Sequence, residues 1–295
     1  MRTHLRAEII YPLAGPDLDG IMLPEYRHIT LRDLLTQRSG IASDVLGDPQ
    51  VMQKVDGFAK TFPGSPLESR KACVRSLLSE KARSSQNGEF AYSNANYVIA
   101  GHMVETMAGH SWEDLIRKRL FEPLGMTTAG FGPPGKVGLV DQPHGHLADA
   151  RPVRPGNRDA DNPELYGPSG LVHCSVLDWA KFAAIHATQG ESHPGLLEAG
   201  SFAVLHAPVK LATDSKIEAI APGATGYAMG WFAFPGTVLT HSGTNLRWFA
   251  VSAVIPKDRL SVLVACNQGG DDPEKCCLKV LQELIKNYNG IRAGK

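Results

Sequence analysis

Apolar residues recur at helical spacing through most of the first two-thirds of the chain. In the last third they come instead in extended runs. Leu31, Leu34 and Leu35 form a short stripe behind Thr30-x-x-Asp33, which predicts a helix opened by a capping box and closed at Ser39-Gly40. A helical stretch is expected around residues 67–82. Asn94 is the expected N-cap of the next helix, whose stripe is Val98, Ile99, Met103 and Met107 and whose end is Gly109. Ser111-x-x-Asp114 predicts another, carrying Leu115, Ile116 and Leu120 and stopped by Pro123. Ser175-x-x-Asp178 predicts a further one with Val176, Trp179, Phe182 and Ala183, ending near Gly190.

From Gly226 the period becomes that of strands. Residues 227–234, 238–241, 246–255 and 260–266 are rich in β-branched and aromatic side chains. Their short connections predict an antiparallel meander. Asp272-Pro273 is expected to open a final helix with Val280, Leu281, Leu284 and Ile285 as its apolar face. Residues 1–28 are irregular, and 130–170 form a Pro/Gly-rich stretch read as a long structured loop. Helices, then consecutive strands, then a covering helix describe an α+β protein, an antiparallel sheet flanked by helices plus a mainly helical region.

Composition narrows the function classes. Hydrophobic residues make up 43% and charged residues 20%, the profile of a globular protein. Thirty Lys+Arg balance thirty Asp+Glu, which argues against a nucleic-acid binder and against a polybasic membrane-surface protein. No run of apolar residues is long enough for a membrane span. The opening Met1–Glu8 does not carry a secretory signal pattern. Five cysteines at irregular spacing do not suggest a disulfide framework.

Several motifs dissolve on inspection. Gly130-Phe131-Gly132-Pro133-Pro134-Gly135 has the spacing of a dinucleotide loop, but its prolines remove the backbone donors that a phosphate needs. His144-Gly145-His146 lacks a third ligand at fixed spacing and is expected to be a pair of solvated loop histidines rather than a metal site. Adjacent Cys276 and Cys277 point in different directions on a helix, and one is expected in the core. No G-x-S-x-G nucleophile elbow occurs. Two short motifs remain. Tyr92-Ser93-Asn94 precedes a helix, and His241-Ser242-Gly243 ends a strand. The first can present a phenol beside an amide. The second presents an imidazole, a hydroxyl and a glycine that lets a ligand lie against the backbone.

The stretch Ile29-Thr30-Leu31-Arg32-Asp33-Leu34-Leu35-Thr36-Gln37-Arg38-Ser39-Gly40-Ile41 resembles the "ITIRHLLTHTSGL" segment of the serine β-lactamase-like superfamily. That group includes class C β-lactamases, D-alanyl-D-alanine carboxypeptidases, D-aminopeptidases and family VIII esterases. Tyr92–Tyr97, Phe121–Met126, Gly170–Val172 leading to Asp178–Phe182, Gly226–Trp231 and His241–Gly243 resemble it in the same order, over about residues 21–270. The resemblance implies a β-lactamase/transpeptidase-like fold with no metal or organic cofactor. It implies hydrolysis of an ester, amide or β-lactam through a serine acyl-enzyme. Tyr92 would be the general base and Asn94 would position the substrate amide. His241 and Ser242 would bind the substrate carboxylate or leaving group beside Gly243. The backbone N–H of Thr244 would serve the oxyanion hole.

One family motif is missing. The superfamily's nucleophile and its lysine partner form Ser-x-x-Lys, and no such spacing occurs anywhere in the chain. Thr213-Asp214-Ser215-Lys216 is the nearest imitation. Residues 1–28 are therefore expected to be a remnant of the N-terminal part of the α/β domain. Residues 29–220 would be the mainly helical region, and 221–295 the sheet with its helix, together one β-lactamase-like unit. The expected product is a serine hydrolase-like protein lacking its nucleophile. The alternatives are a catalytically inactive binding homologue and one half of a split enzyme. A missing helix would expose apolar surface and favour self-association. The chain as it stands is expected to be cytoplasmic; a signal carried on a lost N-terminus would make it periplasmic or secreted.

Overall fold

The computed structural model describes residues 18, 20–41, 57, 62, 64–80, 88–211 and 215–293. Most of the irregular opening segment, residues 81 and 82 of the second predicted helix, and residues 213 and 214 lie outside the described residues. The chain forms two compact units. One takes Met1–Leu120, Pro163–Leu171 and Ala203–Gly230, and the other takes Phe121–Asn162, Val172–Phe202 and Trp231–Lys295.

In the first unit the helix starts follow their local chemistry. Thr30 Oγ1 accepts the Asp33 N–H at 3.1 Å while the Asp33 carboxylate accepts the Thr30 N–H at 2.9 Å, closing the capping box over Leu31–Leu35. Ser65 and Glu68 do the same for Pro66–Leu78, with Pro66 where no backbone donor is needed. The Asn94–Ala108 helix corrects the expectation. Ser93, not Asn94, is its N-cap, with no side-chain cap bond, and Asn94 is the first helical residue. Leu34, Val74, Leu78, Val98, Ile99 and Leu165 are buried together, each contributing about 1.5–3 kcal/mol by leaving water. Met107 stands exposed off this stripe. Gly101 allows the helix to approach the Gly167–Gly170 turn, because a Cβ there would lie 2.2 Å from Pro168 Cγ.

Arg70 ties these helices together from a fully buried position. Its guanidinium donates to Glu105 Oε1 at 2.6 Å, to Glu113 Oε2 at 2.8 Å and to the Glu164 carbonyl at 3.3 Å. Burial alone would raise the Glu105 pKa. His102, Arg70 and the Trp112 N–H outweigh it and hold the carboxyl below its ordinary value.

The second unit is built on a four-stranded antiparallel meander, Trp231–Phe234, Val238–Thr244, Phe249–Ile255 and Leu260–Cys266. Thr240 stands opposite both Phe232 and Ala253, and Leu263 opposite Ser252. The strand expected over 227–234 is broken. Met229 at φ 41° and Gly230 at φ 105° turn the chain, so Gly226–Ala228 pairs with Val209–Lys210 in the first unit. The strand expected from residue 246 begins at Phe249, because Leu246 sits at φ 68° and Asn245 Oδ1 captures the N–H groups of Arg247 and Trp248.

The final helix, Asp271–Ala293, starts at Asp271 rather than at Asp272-Pro273. It packs Cys277, Leu281 and Ile285 against Phe249, Val251 and Val262. Val280 and Leu284 are each 45% exposed, so they are not part of the packing face, which repeats every four residues from Cys277. Cys276 is exposed and Cys277 buried, as their adjacency implies. The helical run from Trp112 passes through a π turn at Arg117–Phe121 and resumes at Glu122–Leu124. Pro123 therefore does not stop it; Gly125 at φ 60° does. The 130–170 stretch contains short paired strands, Gly130–Phe131 with Val172–His173 and Gly145–His146 with Pro152–Val153. Asp178 pins the Val176–Ala187 helix by accepting from Lys181 Nζ at 2.7 Å and from Thr128 N–H at 2.7 Å and Oγ1 at 2.6 Å. No helix among the described residues is long and apolar enough to cross a membrane.

Two stability outcomes follow. Arg70→Ala leaves two carboxylates without their cation and is expected to cost about 3–5 kcal/mol in urea unfolding; a loss under ~1 kcal/mol contradicts the tie. Lys181 first, then Thr128, holds the Asp178 carboxyl down to about 2. Its contribution is complete above the unfolded value of ~3.9 and is lost as pH falls from there towards the folded value. Asp178→Asn is expected to flatten that acid limb of the stability curve.

Candidate active site

Tyr92 and Asn94 lie on the segment that enters the Asn94–Ala108 helix, in the first unit. The turn after Leu31–Leu35 holds this segment. Gln37 sits there at φ 61°, only 1% exposed. Its backbone carbonyl accepts the Ala91 N–H at 2.8 Å. Its side-chain Oε1 accepts the Ser93 N–H at 3.0 Å and Asn96 Nδ2 at 2.6 Å. The Ser39 hydroxyl donates to Asn96 Oδ1 at 2.6 Å, which orients the second amide. Gln37 Nε2 reaches towards the Tyr227 hydroxyl without completing a hydrogen bond of ordinary geometry.

Three tyrosines meet here. The Tyr92 ring stands edge-on to Tyr227 at 6.0 Å and 88°, and Phe90 packs on Tyr227 at 5.3 Å. Tyr97 donates its hydroxyl to the Leu35 carbonyl at 3.0 Å, so the 3.3 Å contact between the Tyr97 and Tyr227 hydroxyls is made by the Tyr227 proton. Burial raises the pKa of both Tyr97 and Tyr227, which keeps them neutral phenols. Of the two, Tyr227 is the one whose ring packs against Tyr92. Tyr92 and Asn94 are half-buried.

His241, Ser242, Gly243 and Thr244 form the end of the Val238–Thr244 strand in the second unit. The ladder to Phe249–Ile255 continues through them, whereas the ladder to Trp231–Phe234 ends at Thr240. These four residues thus run past one neighbouring strand, leaving an edge where an extended or planar polar ligand can meet backbone groups. His241 stacks on Phe232 at 6.3 Å and 28°. Ser242, Gly243 and Thr244 are exposed, and a Cβ on Gly243 would meet nothing within 4 Å. The turn beyond is fixed. Thr244 Oγ1 accepts the Leu246 N–H at 3.0 Å, and Asn245 Nδ2 donates to Asp161 at 2.8 Å. Burial, the largest influence, raises the Asp161 pKa.

The structure brings together Tyr92 with Asn94, and separately His241 with Ser242, Gly243 and Thr244. Gln37, Asn96, Tyr97 and Tyr227 were not singled out by sequence, although Gln37, Asn96, Tyr97 and Tyr227 all lie inside the ordered stretches quoted above. His144 and His146 are half-buried and line an open surface depression together with Asp141 and Asn267, and His146 lies in the short strand Gly145–His146 rather than in a loop. His146 Nδ1 meets the Asn267 carbonyl at 2.9 Å, which fixes its proton there, and Asn267 Nδ2 donates to the His144 carbonyl at 2.9 Å. Among the described residues no three His, Cys, Asp or Glu gather where they could hold a metal ion.

The Beta-lactamase family model matches residues 22–283. The chain belongs to the beta-lactamase family. Its fold is the β-lactamase/transpeptidase-like one, and the family is one of serine hydrolase-like proteins. Penicillin-binding protein 4 of Amycolatopsis lactamdurans is 27% identical over 281 residues, covering 90% of this chain and 66% of that protein. Protein flp of Staphylococcus aureus strain N315 is 24% identical over 269 residues, covering 89% of this chain and 48% of its own length. The chain thus spans between about half and two-thirds of these relatives. The octameric penicillin-binding protein homologue from Pyrococcus abyssi superposes with a TM-score of 0.69 at 25% identity, over 95% of this chain and 60% of that one. A class C beta lactamase from Rhodobacter sphaeroides shares the fold, with a TM-score of 0.65 at 18% identity over 95% of this chain and 78% of its own.

The tyrosine cluster has a direct optical readout. In a spectrophotometric pH titration Tyr97 and Tyr227 are expected to ionise last, only as the first unit unfolds. Their neutral forms stabilise the fold fully below the ordinary phenol value of ~10, and this is lost as pH rises above it. Tyr97→Phe and Tyr227→Phe are each expected to remove amplitude from that late phase. Loss from the early phase contradicts the assignment.

Proposed function

We propose that this chain carries the base and substrate-binding parts of a serine hydrolase acting on an ester, amide or β-lactam carbonyl. The observation that carries this is the family match over residues 22–283, together with Tyr92-x-Asn94 and His241-Ser242-Gly243 in family order. In the proposed reaction Tyr92 takes the proton of an attacking serine hydroxyl. The serine oxygen bonds to the substrate carbonyl carbon, and the Thr244 N–H helps to hold the oxyanion. The bond to the leaving group then breaks and the proton passes to it, leaving an acyl-serine for water to hydrolyse. Asn94 orients the substrate amide. His241 and Ser242 bind its carboxylate or leaving group. Open space around Gly243 supports close approach of the substrate to the strand.

The attacking serine is not found in this chain by its motif, since no Ser-x-x-Lys occurs. The superfamily lowers the barrier for its tyrosine base with that lysine, and an ordinary phenol at ~10 is a poor base at neutral pH. The chain alone is therefore proposed to bind acyl substrates without forming an acyl-enzyme. The same absence favours, as the second reading, a catalytically silent binding homologue; a Ser-x-x-Lys supplied by another chain would make a split enzyme. Self-association is part of this proposal. Val137, Val140 and Leu177 stand exposed, and the Pyrococcus abyssi homologue is described as octameric.

Incubation with a fluorophosphonate serine probe, read by intact mass, is expected to give no adduct. A stoichiometric adduct abolished by Tyr92→Phe overturns the absence of an activated nucleophile and points to Ser93 or Ser242. Non-covalent binding of an intact β-lactam carboxylate is expected, weakened roughly ten-fold or more by His241→Ala through loss of one charge-assisted hydrogen bond. Equal binding by that variant overturns the role given to His241.

A further inference from the structure

The geometry points to Gln37 as the positioning residue for Tyr92 and Asn94. It is argued from hydrogen bonds within the first unit and rests on the proposed roles of those two residues only for its functional meaning. Gln37 holds the chain immediately before and immediately after Tyr92. Its carbonyl takes the Ala91 N–H at 2.8 Å and its side-chain oxygen takes the Ser93 N–H at 3.0 Å. Two fixed points one residue either side leave the Tyr92 backbone little freedom. The same Oε1 takes Asn96 Nδ2 at 2.6 Å, which ties the first turn of the helix carrying Asn94 to the same atom.

Two features show that the fold maintains this grip at a cost. Gln37 has φ 61°, a conformation that non-glycine residues avoid by about 1 kcal/mol or more. Its amide is removed from water, yet Nε2 completes no hydrogen bond. The oxygen nevertheless collects two donors, so the orientation of the amide is set. The left-handed backbone is what turns both acceptors of one residue towards the 91–96 segment. A neutral side chain suits the place, because a carboxylate would add a buried charge beside Tyr227. Where the resembling segment has histidine, this chain has glutamine, which offers one oxygen with two lone pairs instead of one ring nitrogen.

The test uses the full chain labelled with tyrosine carrying carbon-13 at Cζ, with the Tyr92 resonance assigned by its loss in Tyr92→Phe. Gln37→Leu keeps the bulk and removes the side-chain acceptor. Gln37→His keeps one neutral acceptor. Gln37→Leu is expected to shift or split the Tyr92 resonance by more than its linewidth while the Tyr26 resonance stays in place. Gln37→His is expected to restore a single Tyr92 line near its original position. An unmoved Tyr92 line in Gln37→Leu overturns the proposal. So does a Gln37→His variant that matches Gln37→Leu, since that ties the effect to packing. Should Gln37→Leu fail to fold, Asn96→Ala removes one of the two donors on Oε1 and is expected to move the Tyr92 line in the same direction; an unmoved line there overturns the proposal. The readout is a resonance and not turnover. Failure here leaves the serine-hydrolase proposal standing, and failure of that proposal leaves this result unchanged.

Discussion

A single amide oxygen, Gln37 Oε1, sits between two donors that belong to the chain around Tyr92 and to the helix that follows it. Neither donor has access to water, since Ser93 and Asn96 are both buried. A buried N–H without a partner costs on the order of 1–3 kcal/mol, so the oxygen cannot leave without exposing two such debts at once. This binds the Leu31–Leu35 helix and its capping box to the opening of the Asn94–Ala108 helix. It also places the Tyr92 ring against Tyr227, whose hydroxyl meets that of Tyr97, which in turn donates to the Leu35 carbonyl. Arg70 performs a comparable service elsewhere in the same unit, where its guanidinium joins its own helix to the two that carry Glu105 and Glu113.

The second unit meets a different demand. Its functional candidates lie on a strand, so their placement comes from ladder register and not from side-chain grips. His241, Ser242, Gly243 and Thr244 inherit their spacing from Ser252, Val251, Ala250 and Phe249 opposite. What needs fixing is the point where the strand stops. Asn245 does this by capturing two backbone donors beyond the strand and by donating to Asp161 from the 130–170 stretch. The long Pro/Gly-rich segment is thereby a structural buttress for the strand end as well as a connection.

Helix starts were legible in the sequence because capping is local. Thr30 with Asp33, Ser111 with Asp114 and Ser175 with Asp178 all bond as their spacing implies. The meander was legible because β-branched runs joined by short turns leave few alternatives. The failures have physical causes beyond local pattern. Asn94 looked like a cap because its type favours one, whereas Gln37 had already claimed the Ser93 N–H from 56 residues away. The strand over 227–234 looked continuous because Met229 gives no sign that it adopts a positive φ. Val280 and Leu284 fit an apolar face, yet the sheet accepts the narrower stripe of Cys277, Leu281 and Ile285. The motif residues themselves were found by resemblance. Their supports were not, because a glutamine in a turn carries no signal of its own until its partners are folded around it.

Amide hydrogen exchange at Ala91 and Ser93 measures the central constraint most directly. If Gln37 holds the Tyr92 segment on both sides, these two amides exchange slowly, together with core helix amides such as that of Ile99. Exchange of either at the rate of an unstructured peptide, while Ile99 remains protected, would mean that the segment is not held and that Tyr92 owes its position to something else.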